Sequence, residues 1–462
     1  MILKPFFRLA AFAAVAYLSS LTVSAQEAAP FDPTGHWSGG VLKDGAVLPV
    51  EVLIEAGESG YRAWTRFPQW IFYEPAEATP VEIAQGKIVI RDLYEGDAVL
   101  VREPRFGQLF GEIEAEEATF RVHLKRTVLR RNDAPLREEV TIAAKDGTQL
   151  SGEIFRPRRG EAKTGLVLVH GRGCQTGSSG LARFFAQQGL TVLIYDKRGA
   201  GQSEGDCASF TLDQLAEDVL AARKSLARQS STDPAKIGFL GVSAGAWTSQ
   251  RATELALDRR REPSPAFIAT WIGPATSILQ QQISSAYSFG EAIGFDTARQ
   301  ELLAEASRII ADQSLSDDEA YGQLLAIRER AQREGWLEDG FGPDDLPRSR
   351  DDMEGLWLRR LRYDPAPLFA RLEDVPYLAV FGEEDPIVPL QENIETLRQG
   401  LAGKTFGMVT VQGAGHGYGL PSATLELPFG EISYSFEGTE TAFAEATFSF
   451  LREQGFVTDE QR

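Results

Sequence analysis

The sequence has few cysteines and no excess of positive charge. Two cysteines among 462 residues are too few for a disulfide framework, although an exported protein can still hold one bridge. The 66 acidic residues outnumber the 47 basic ones and give a formal net charge of −19. This balance excludes a basic surface for nucleic acid or anionic lipid. We interpret it as an adaptation for solubility rather than a means of attracting cationic substrates.

Signals for cofactors and metals are also missing from the sequence. None of the four histidines forms a pair with metal-ligand spacing, and no Walker or dinucleotide-binding motif occurs. Acidic pairs such as Asp317-Asp318 and Asp351-Asp352 are typical of solvated helix starts. The sequence therefore predicts chemistry that needs neither a metal nor an organic cofactor.

Long apolar runs are missing everywhere except near the N-terminus. Lys4 and Arg8 precede an apolar run that ends in small residues at about Ala25. This order is typical of a secretory signal peptide, and we predict cleavage between Ala25 and Gln26. The alternative, an uncleaved anchor, is disfavoured because the run is shorter than the roughly 20 residues that a membrane span needs. We therefore expect residues 1–25 to be removed, leaving an exported periplasmic or extracellular protein without a stable membrane anchor.

The rest of the chain is too long for one core, and its first part is predicted to be a β domain. A hydrophobic fraction of 43% and a charged fraction of 24% exclude a largely disordered chain and a multi-span membrane protein. Residues 31–128 contain short alternating stretches, which predict a small all-β barrel or sandwich. The opening Gly35-His36-Trp37 is similar to the start of lipocalin-like small barrels. We expect this domain to serve packing or to support a lid; ligand capture or substrate gating is the alternative.

Strand and helix signals alternate after the β domain. Over residues 137–274 the alternation predicts a largely parallel sheet with helices on both faces. It stops over residues 275–372, which read as a helical insertion, with helices expected at 299–310, 317–333 and 350–362. The sheet pattern resumes over residues 373–456, with Phe406–Val411 expected as its last strand.

The strongest chemical signal is the string Gly241-Val242-Ser243-Ala244-Gly245. It follows an apolar strand and precedes a helical stretch, which is the context of a nucleophile elbow. The small neighbours permit a strained turn that presents the serine hydroxyl above the sheet. A glycine-rich turn with an idle serine is the alternative, and this context disfavours it. Ser243 is therefore the predicted nucleophile.

The predicted base and acid follow Ser243 along the chain. In this type of site the order is serine, acid, histidine, and His416 is the one histidine after Ser243. A serine hydroxyl needs such a base, and the base needs an acid to hold its ring. Asp385 follows a predicted strand and is preferred over Glu383 and Glu384, which are expected to be solvated.

Two further motifs complete a family resemblance. His170-Gly171-Arg172-Gly173 follows a buried strand, and Asp196 to Ser203 reads Asp-Lys-Arg-Gly-Ala-Gly-Gln-Ser. With the Ser243 elbow and the acid and histidine motifs, residues from about 139 to 456 resemble the α/β-hydrolase superfamily, in particular bacterial esterases and serine aminopeptidase-like hydrolases. The resemblance implies an eight-strand topology with a helical cap before the acid.

The resemblance also implies roles for individual residues. The N–H groups of Arg172 and Ala244 would form the oxyanion hole. The Arg172 side chain would either recognise a substrate carboxylate or form a surface ion pair. His170 is expected to be structural. Cys174 and Cys207 follow strands expected to be neighbours, so either a disulfide across the active-site rim or two reduced thiols remain open.

The expected function is ester hydrolysis without a cofactor. A carboxylesterase acting on small or medium acyl esters is the first expectation, and an aminopeptidase-like or acylaminoacyl-peptidase-like amide hydrolase with the same triad is the alternative. A binding module built on an inactive hydrolase scaffold is the third. The partner is thus a small-molecule ester or a peptide substrate.

Overall fold

The computed structural model describes residues 31–457, except for positions 44–45, 58, 68–77, 85, 104–106, 116–117, 128–134, 159–161, 208, 230–231, 260–261, 343–344, 418–422, 428–429 and 435–440. The predicted signal peptide, residues 1–25, lies outside the described residues. Within the described part of the chain, none of the helices combines the length and apolar character that crossing a bilayer requires.

The N-terminal part of the described chain is a closed antiparallel barrel. Its eight strands are β1 (Gly35–Lys43), β2 (Ala46–Gly57), β3 (Gly60–Arg66), β4 (Thr79–Ala84), β5 (Lys87–Ile90), β6 (Ala98–Arg102), β7 (Leu109–Glu114) and β8 (Thr119–Thr127). Successive strands pair with each other, and β1 closes the barrel on β8 with His36 opposite Thr127. Four of these strands carry clear alternating stretches in the sequence. Closure of the barrel has no such local signal, because it depends on pairing between the first and last strands of the domain.

The barrel interior is filled by its own side chains. Alternation along the strands turns apolar residues inward, and buried residues from all eight strands form one hydrophobic cluster. Trp37 is fully buried in this cluster, and its indole N–H donates to the Pro33 carbonyl at 2.9 Å. The barrel interior is thus occupied by side chains, as in other barrels with about eight strands.

The second part of the chain is built on an eight-stranded mixed sheet. Its strands are β9 (Leu136–Ala143), β10 (Gln149–Arg156), β11 (Gly165–Val169), β12 (Thr191–Tyr195), β13 (Ile237–Val242), β14 (Ile268–Trp271), β15 (Tyr377–Gly382) and β16 (Phe406–Val411), in the spatial order β16-β15-β14-β13-β11-β12-β10-β9. β10 runs antiparallel to β9 and β12, and the strands from β12 to β16 are parallel. This strand order is that of an α/β-hydrolase sheet.

Eleven labelled helices accompany the sheet in the described residues. They are α1 (Ser179–Gln187), α2 (Leu212–Gln229), α3 (Gly245–Leu257), α4 (Ile278–Ala292), α5 (Thr297–Ala311), α6 (Asp317–Glu334), α7 (Leu337–Gly340), α8 (Trp357–Arg360), α9 (Ala366–Phe369), α10 (Leu390–Gly400) and α11 (Thr441–Glu453). Phe185 of α1 and Phe443 of α11 pack on Trp271 on one face of the sheet. α2 and α3 pack on the opposite face.

Helices α4 to α9 form the segment between β14 and β15, and no strand occurs among its described residues. Ser316 and Glu319 form a capping box that starts α6, and Gly335 ends that helix at a positive φ of 76°, as expected for these residue types. We refer to residues 275–372 as the helical insertion.

Two local expectations differ from the structure. The helix expected over 350–362 is a short 3-10 turn, Arg350–Gly355, followed by α8, because Leu356 has an extended backbone. After β16 the chain forms a further hairpin of β17 (Ala423–Leu427) and β18 (Gly430–Tyr434), so β16 is the last strand of the main sheet only. The two hairpin strands have five residues each and alternate apolar with polar residues, a signal that sequence reasoning missed.

Candidate active site

Ser243 occupies a strained turn between β13 and α3. Its φ is +51°, a left-handed conformation that side chains rarely adopt. A Cβ on Gly241 would lie 2.4 Å from the Gly245 carbonyl oxygen, and one on Gly245 would lie 2.4 Å from that of Val169. The Ser243 N–H donates to the Trp271 carbonyl at 2.9 Å. The glycines are therefore required for close backbone approach, and the turn is anchored to the neighbouring strand.

The structure brings the three predicted triad residues together. Ser243 Oγ lies 3.0 Å from His416 Nε2, and His416 Nδ1 lies 2.9 Å from Asp385 Oδ2. His416 belongs to the loop after β16, and Asp385 belongs to the loop after β15. Because these strands are adjacent and parallel, the loops that follow them both lie at the carboxyl edge of the sheet.

Asp385 is distinguished from its glutamate neighbours by burial. Its side chain is 2% exposed, and its Oδ1 accepts the N–H groups of Ile387 at 2.8 Å and Val388 at 3.0 Å. Glu383 and Glu384 are exposed. A carboxylate that accepts two backbone N–H groups has a defined orientation, so Asp385 is built to hold the His416 ring.

The two predicted oxyanion donors lie beside Ser243. Ala244 follows it directly, and a Cβ on Gly171 would lie 3.4 Å from the Ser243 Cβ, which places the next peptide next to the nucleophile. Lys197 Nζ donates to the carbonyls of Gly171 at 2.6 Å and Gly173 at 2.8 Å. The C=O of Gly171 and the N–H of Arg172 belong to one trans peptide and point in opposite directions. Lys197 therefore orients the Arg172 N–H through the carbonyl on the other side.

Lys197 is buried behind this loop, and His170, at its start, is half-buried. Burial lowers the pKa of Lys197 to about 8. Burial also lowers the pKa of His170 to about 3, and the positive charge of Lys197 acts in the same direction. The His170 ring packs edge-on against Tyr195 with ring centres 4.7 Å apart. His170 is thus neutral at physiological pH and occupies a structural position.

The Arg172 side chain joins the sheet domain to the helical insertion. Its guanidinium donates to Asp345 Oδ1 at 2.5 Å and lies 4.9 Å from the centre of the Trp357 ring. The sequence left two alternatives for this side chain, recognition of a substrate carboxylate and an ion pair within the protein. The structure contains the ion pair. Arg172 thus contributes its main chain to the neighbourhood of Ser243 and its side chain to the contact with the insertion.

The two cysteines form a disulfide with Cα atoms 5.7 Å apart. Cys174 follows β11 and Cys207 follows β12, two paired strands of the sheet. Near this bridge, Arg198 contacts the buried carboxylate of Asp218 at 2.7 Å and Asp146 at 3.0 Å, which links the loop after β12 to two other elements. No cluster of three or more potential metal ligands occurs among the described residues.

Comparison with known proteins identifies the family. Residues 166–426 match the model of the alpha/beta hydrolase family. The chain belongs to the alpha/beta hydrolase family. The matched residues run from β11 past His416 and include Ser243, Asp385 and the whole helical insertion.

The hydrolase has relatives of known and unknown activity. It is 36% identical over 131 residues to a polyketide transferase from Penicillium crustosum, which corresponds to 27% of this chain and 42% of the relative. It is 29% identical over 265 residues to a polyketide transferase from Stachybotrys chlorohalonatus, 54% of this chain and 80% of the relative. The chain spans less than half the length of the Penicillium crustosum relative.

The solved structures that match the chain include an alpha/beta hydrolase from Penicillium sp. sh18. The sequence identity is 16%, the TM-score is 0.40, and the match covers 70% of this chain and 97% of the solved one.

Two cavities of the hydrolase meet at Ser243 and His416. The first has a volume of about 440 Å³ and lies under the helical insertion, where Trp247, Phe289 and Trp357 line it. The second has a volume of about 360 Å³ and extends from the same two residues along α1. Volumes of this size accommodate small organic molecules.

Sequence reasoning missed Lys197 and Asp345 as parts of the site. Lys197 lies in the stretch from Asp196 to Ser203, which contributed only to the family resemblance. Its importance depends on the direction of one peptide group. Asp345 is one acid among many in the helical insertion. A lysine directly after a buried strand was the available signal for Lys197, whereas no sequence signal distinguished Asp345.

Proposed function

We propose that this hydrolase cleaves carboxylic esters by acyl transfer through Ser243, with His416 and Asp385 completing a catalytic triad. The observation that carries the proposal is the unbroken series of contacts from Ser243 Oγ to His416 Nε2 at 3.0 Å and from His416 Nδ1 to Asp385 Oδ2 at 2.9 Å. A serine hydroxyl becomes an effective nucleophile when a base takes its proton and an acid stabilises the charged base.

The proposed reaction has two steps. His416 Nε2 takes the proton from Ser243 Oγ as the oxygen attacks the ester carbonyl carbon, and the resulting oxyanion accepts the N–H groups of Arg172 and Ala244. Collapse breaks the bond to the alcohol, which leaves with the proton from His416. Water then attacks the acyl-enzyme, gives one proton to His416 and releases the carboxylic acid, and Ser243 regains its proton. No cofactor takes part in these steps.

The substrate in this proposal is a small molecule bound beneath the helical insertion, which acts as a cap. The size and partly apolar lining of the 440 Å³ cavity support this. Two relatives are named polyketide transferases. These names also favour a small organic acyl compound over a protein as the substrate. The barrel is assigned a supporting role.

We further propose that the protein is exported. The charged and apolar pattern of residues 1–25 supports a cleaved signal peptide. The disulfide between Cys174 and Cys207 supports an oxidising compartment.

The test is hydrolysis of p-nitrophenyl esters of graded chain length, beside aminoacyl and acyl-aminoacyl p-nitroanilides. We expect ester turnover that disappears in Ser243→Ala and little anilide turnover; Ser249→Ala, at a buried serine outside the site, is the control for the substitution itself. Dominant anilide turnover would instead assign the protein to the amide hydrolases. Absence of turnover together with absence of fluorophosphonate labelling at Ser243 would favour a binding module.

A further inference from the structure

A third cavity lies next to the active-site loop but does not include Ser243. It has a volume of about 430 Å³, lies between the sheet domain and the helical insertion and is partly open to solvent. Its walls are largely apolar, with Phe210, Leu215 and Leu361 among them. We call it the basic chamber, because its charged lining residues are mostly cations, namely Arg172, Lys197, Arg348 and Arg360, against a single carboxylate, Asp352.

This charge distribution is the reverse of that of the whole chain. Acidic residues outnumber basic residues by 66 to 47 in the sequence, yet four cations and one carboxylate line the basic chamber. The neighbouring cavity at Ser243 has the opposite lining, with Arg172 against Glu338, Asp339 and Asp345. A local excess of cations in an acidic protein favours the binding of an anion at that place.

Three of the four cations lack a carboxylate partner among the described residues. Arg172 pairs with Asp345, whereas no described carboxylate lies within ion-pair distance of Lys197, Arg348 or Arg360. Asp352 is engaged locally, since its Oδ2 accepts the main-chain N–H of Arg348 at 2.8 Å. Lys197 is buried, and a buried cation is costly unless an anion compensates it. Asp206 and Asp352 attract Arg360 and Arg348 only at longer range. The chamber therefore contains cations that no described carboxylate pairs with directly.

Lys197, which is buried, and Arg360, which is half-buried, retain unused donors. Lys197 is 4% exposed, and two of the three donors on its Nζ are used by backbone carbonyls. Arg360 donates to the carbonyls of Phe210 and Gly355, and its buried Nε has no hydrogen-bond partner. Lys197 Nζ lies 5.5 Å and the Arg360 guanidinium 5.2 Å from the centre of the Phe210 ring. The two cations therefore converge on one apolar wall of the chamber.

We propose that the basic chamber binds the anionic end of the substrate, so that the enzyme prefers esters whose apolar chain ends in a carboxylate. This proposal rests on the proposed esterase function. Five residues, Arg172, Ala244, Trp247, Leu356 and Trp357, line both the chamber and the cavity at Ser243. A chain whose carbonyl lies at Ser243 is thus adjacent to the chamber, and its terminal carboxylate would supply the missing negative charge.

The test measures binding separately from turnover. Monomethyl sebacate, a half-ester with a free carboxylate, and dimethyl sebacate, which is uncharged, are titrated calorimetrically into the full-length Ser243→Ala protein. We expect the half-ester to bind about tenfold more tightly, as one charge-assisted contact implies. Arg348→Gln and Arg360→Gln should each remove most of this preference.

Matched variants separate the chamber from general charge effects. Arg362→Gln removes an exposed arginine of the same segment that donates to a backbone carbonyl outside the chamber, and it should leave the preference unchanged. Arg348 is exposed, so its variant tests the chamber even if Arg360→Gln does not fold. Equal binding of the two esters, or an equal loss in Arg362→Gln, would overturn the proposal.

Wild-type turnover distinguishes the two proposals. If neither methyl ester nor any p-nitrophenyl ester is hydrolysed but the half-ester still binds preferentially, the esterase proposal fails and the chamber remains an anion site. If both sebacate esters are hydrolysed with equal kcat/KM and bind equally, the esterase proposal stands and the chamber proposal fails.

Discussion

Lys197 contacts two main-chain carbonyls of the loop that precedes Cys174, and it has no contact with the triad. Its role follows from the geometry of a trans peptide, because holding the Gly171 carbonyl from one side directs the Arg172 N–H to the other. A positive charge on the carbonyl side also polarises the peptide and makes its N–H a stronger donor. At the residue scale, Lys197 is therefore a positioning residue for the proposed oxyanion hole.

Replacement of this lysine gives the first prediction. Lys197→Met should lower kcat on p-nitrophenyl butyrate by at least about tenfold with little change in KM, since the loss of one aligned donor costs about 10²–10³. Burial lowers the pKa of Lys197 to about 8, so the ammonium is present below pH 8 and is lost above it. The wild-type kcat should accordingly fall as the pH rises through about 8.

A pH profile checks this prediction directly. Lys197→Met should lack the alkaline decline, and Lys224→Met, at an exposed position on α2, should keep both the wild-type rate and the decline. If the kcat of Lys197→Met still fell as the pH rises above about 8, Lys197 would not be the group that positions the oxyanion hole, even if the rate were lower.

At the scale of elements, α4 attaches the helical insertion to the loop that carries Asp385. Gln281 is 2% exposed; its side-chain amide donates to the Ile387 carbonyl and accepts from Asn393 Nδ2 at 3.4 Å. Ser288 Oγ donates to the Pro386 carbonyl at 2.6 Å. The acid loop is thus braced from outside by a helix that is distant from it in sequence.

Removal of the buried amide gives the second prediction. Gln281→Leu should lower the free energy of unfolding by about 1–3 kcal/mol, because the Ile387 carbonyl loses its partner in a buried site. Urea denaturation of wild type and variant measures the difference. Gln280→Leu, one residue away and exposed, should change stability by less than about 0.5 kcal/mol. Equal effects of the two substitutions would contradict a specific brace.

At the scale of the whole molecule, the chain comprises two separately packed units. The barrel has its own buried cluster, and the sheet domain buries others on both faces. The three residues of the proposed triad and both predicted oxyanion donors come from the sheet domain. One covalent link adds to its stability, since the disulfide between Cys174 and Cys207 closes a separation of 33 residues.

Loss of this link gives the third prediction. Cys174→Ala combined with Cys207→Ala should lower the free energy of unfolding by about 3–4 kcal/mol, because the open chain gains loop entropy when unfolded. Dithiothreitol should destabilise the wild type by a similar amount and should leave the double variant unaffected. Identical urea midpoints for oxidised and reduced wild type would show that the bridge contributes nothing to stability.

The sequence predicted those features that depend on local order or on chain order. Ser243 was identifiable because strand, small residues and helix follow one another, and His416 because no other histidine follows the serine. Closure of the barrel depends on pairing between β1 and β8, which no local pattern encodes. The interruption of the expected helix at Leu356 and the support of the acid loop by Gln281 both depend on tertiary contacts. In the sequence, Gln281 has polar neighbours and cannot be distinguished from a surface residue.

Arg172 has a further consequence for how such an enzyme changes over generations. Any residue except proline supplies the same main-chain N–H at this position, whereas the contacts with Asp345 and Trp357 belong to its side chain alone. Substitutions at 172 are therefore free to alter how the insertion sits on the site without removing the donor beside Ser243. This position allows substrate range to diverge between descendants while the reaction chemistry is inherited intact.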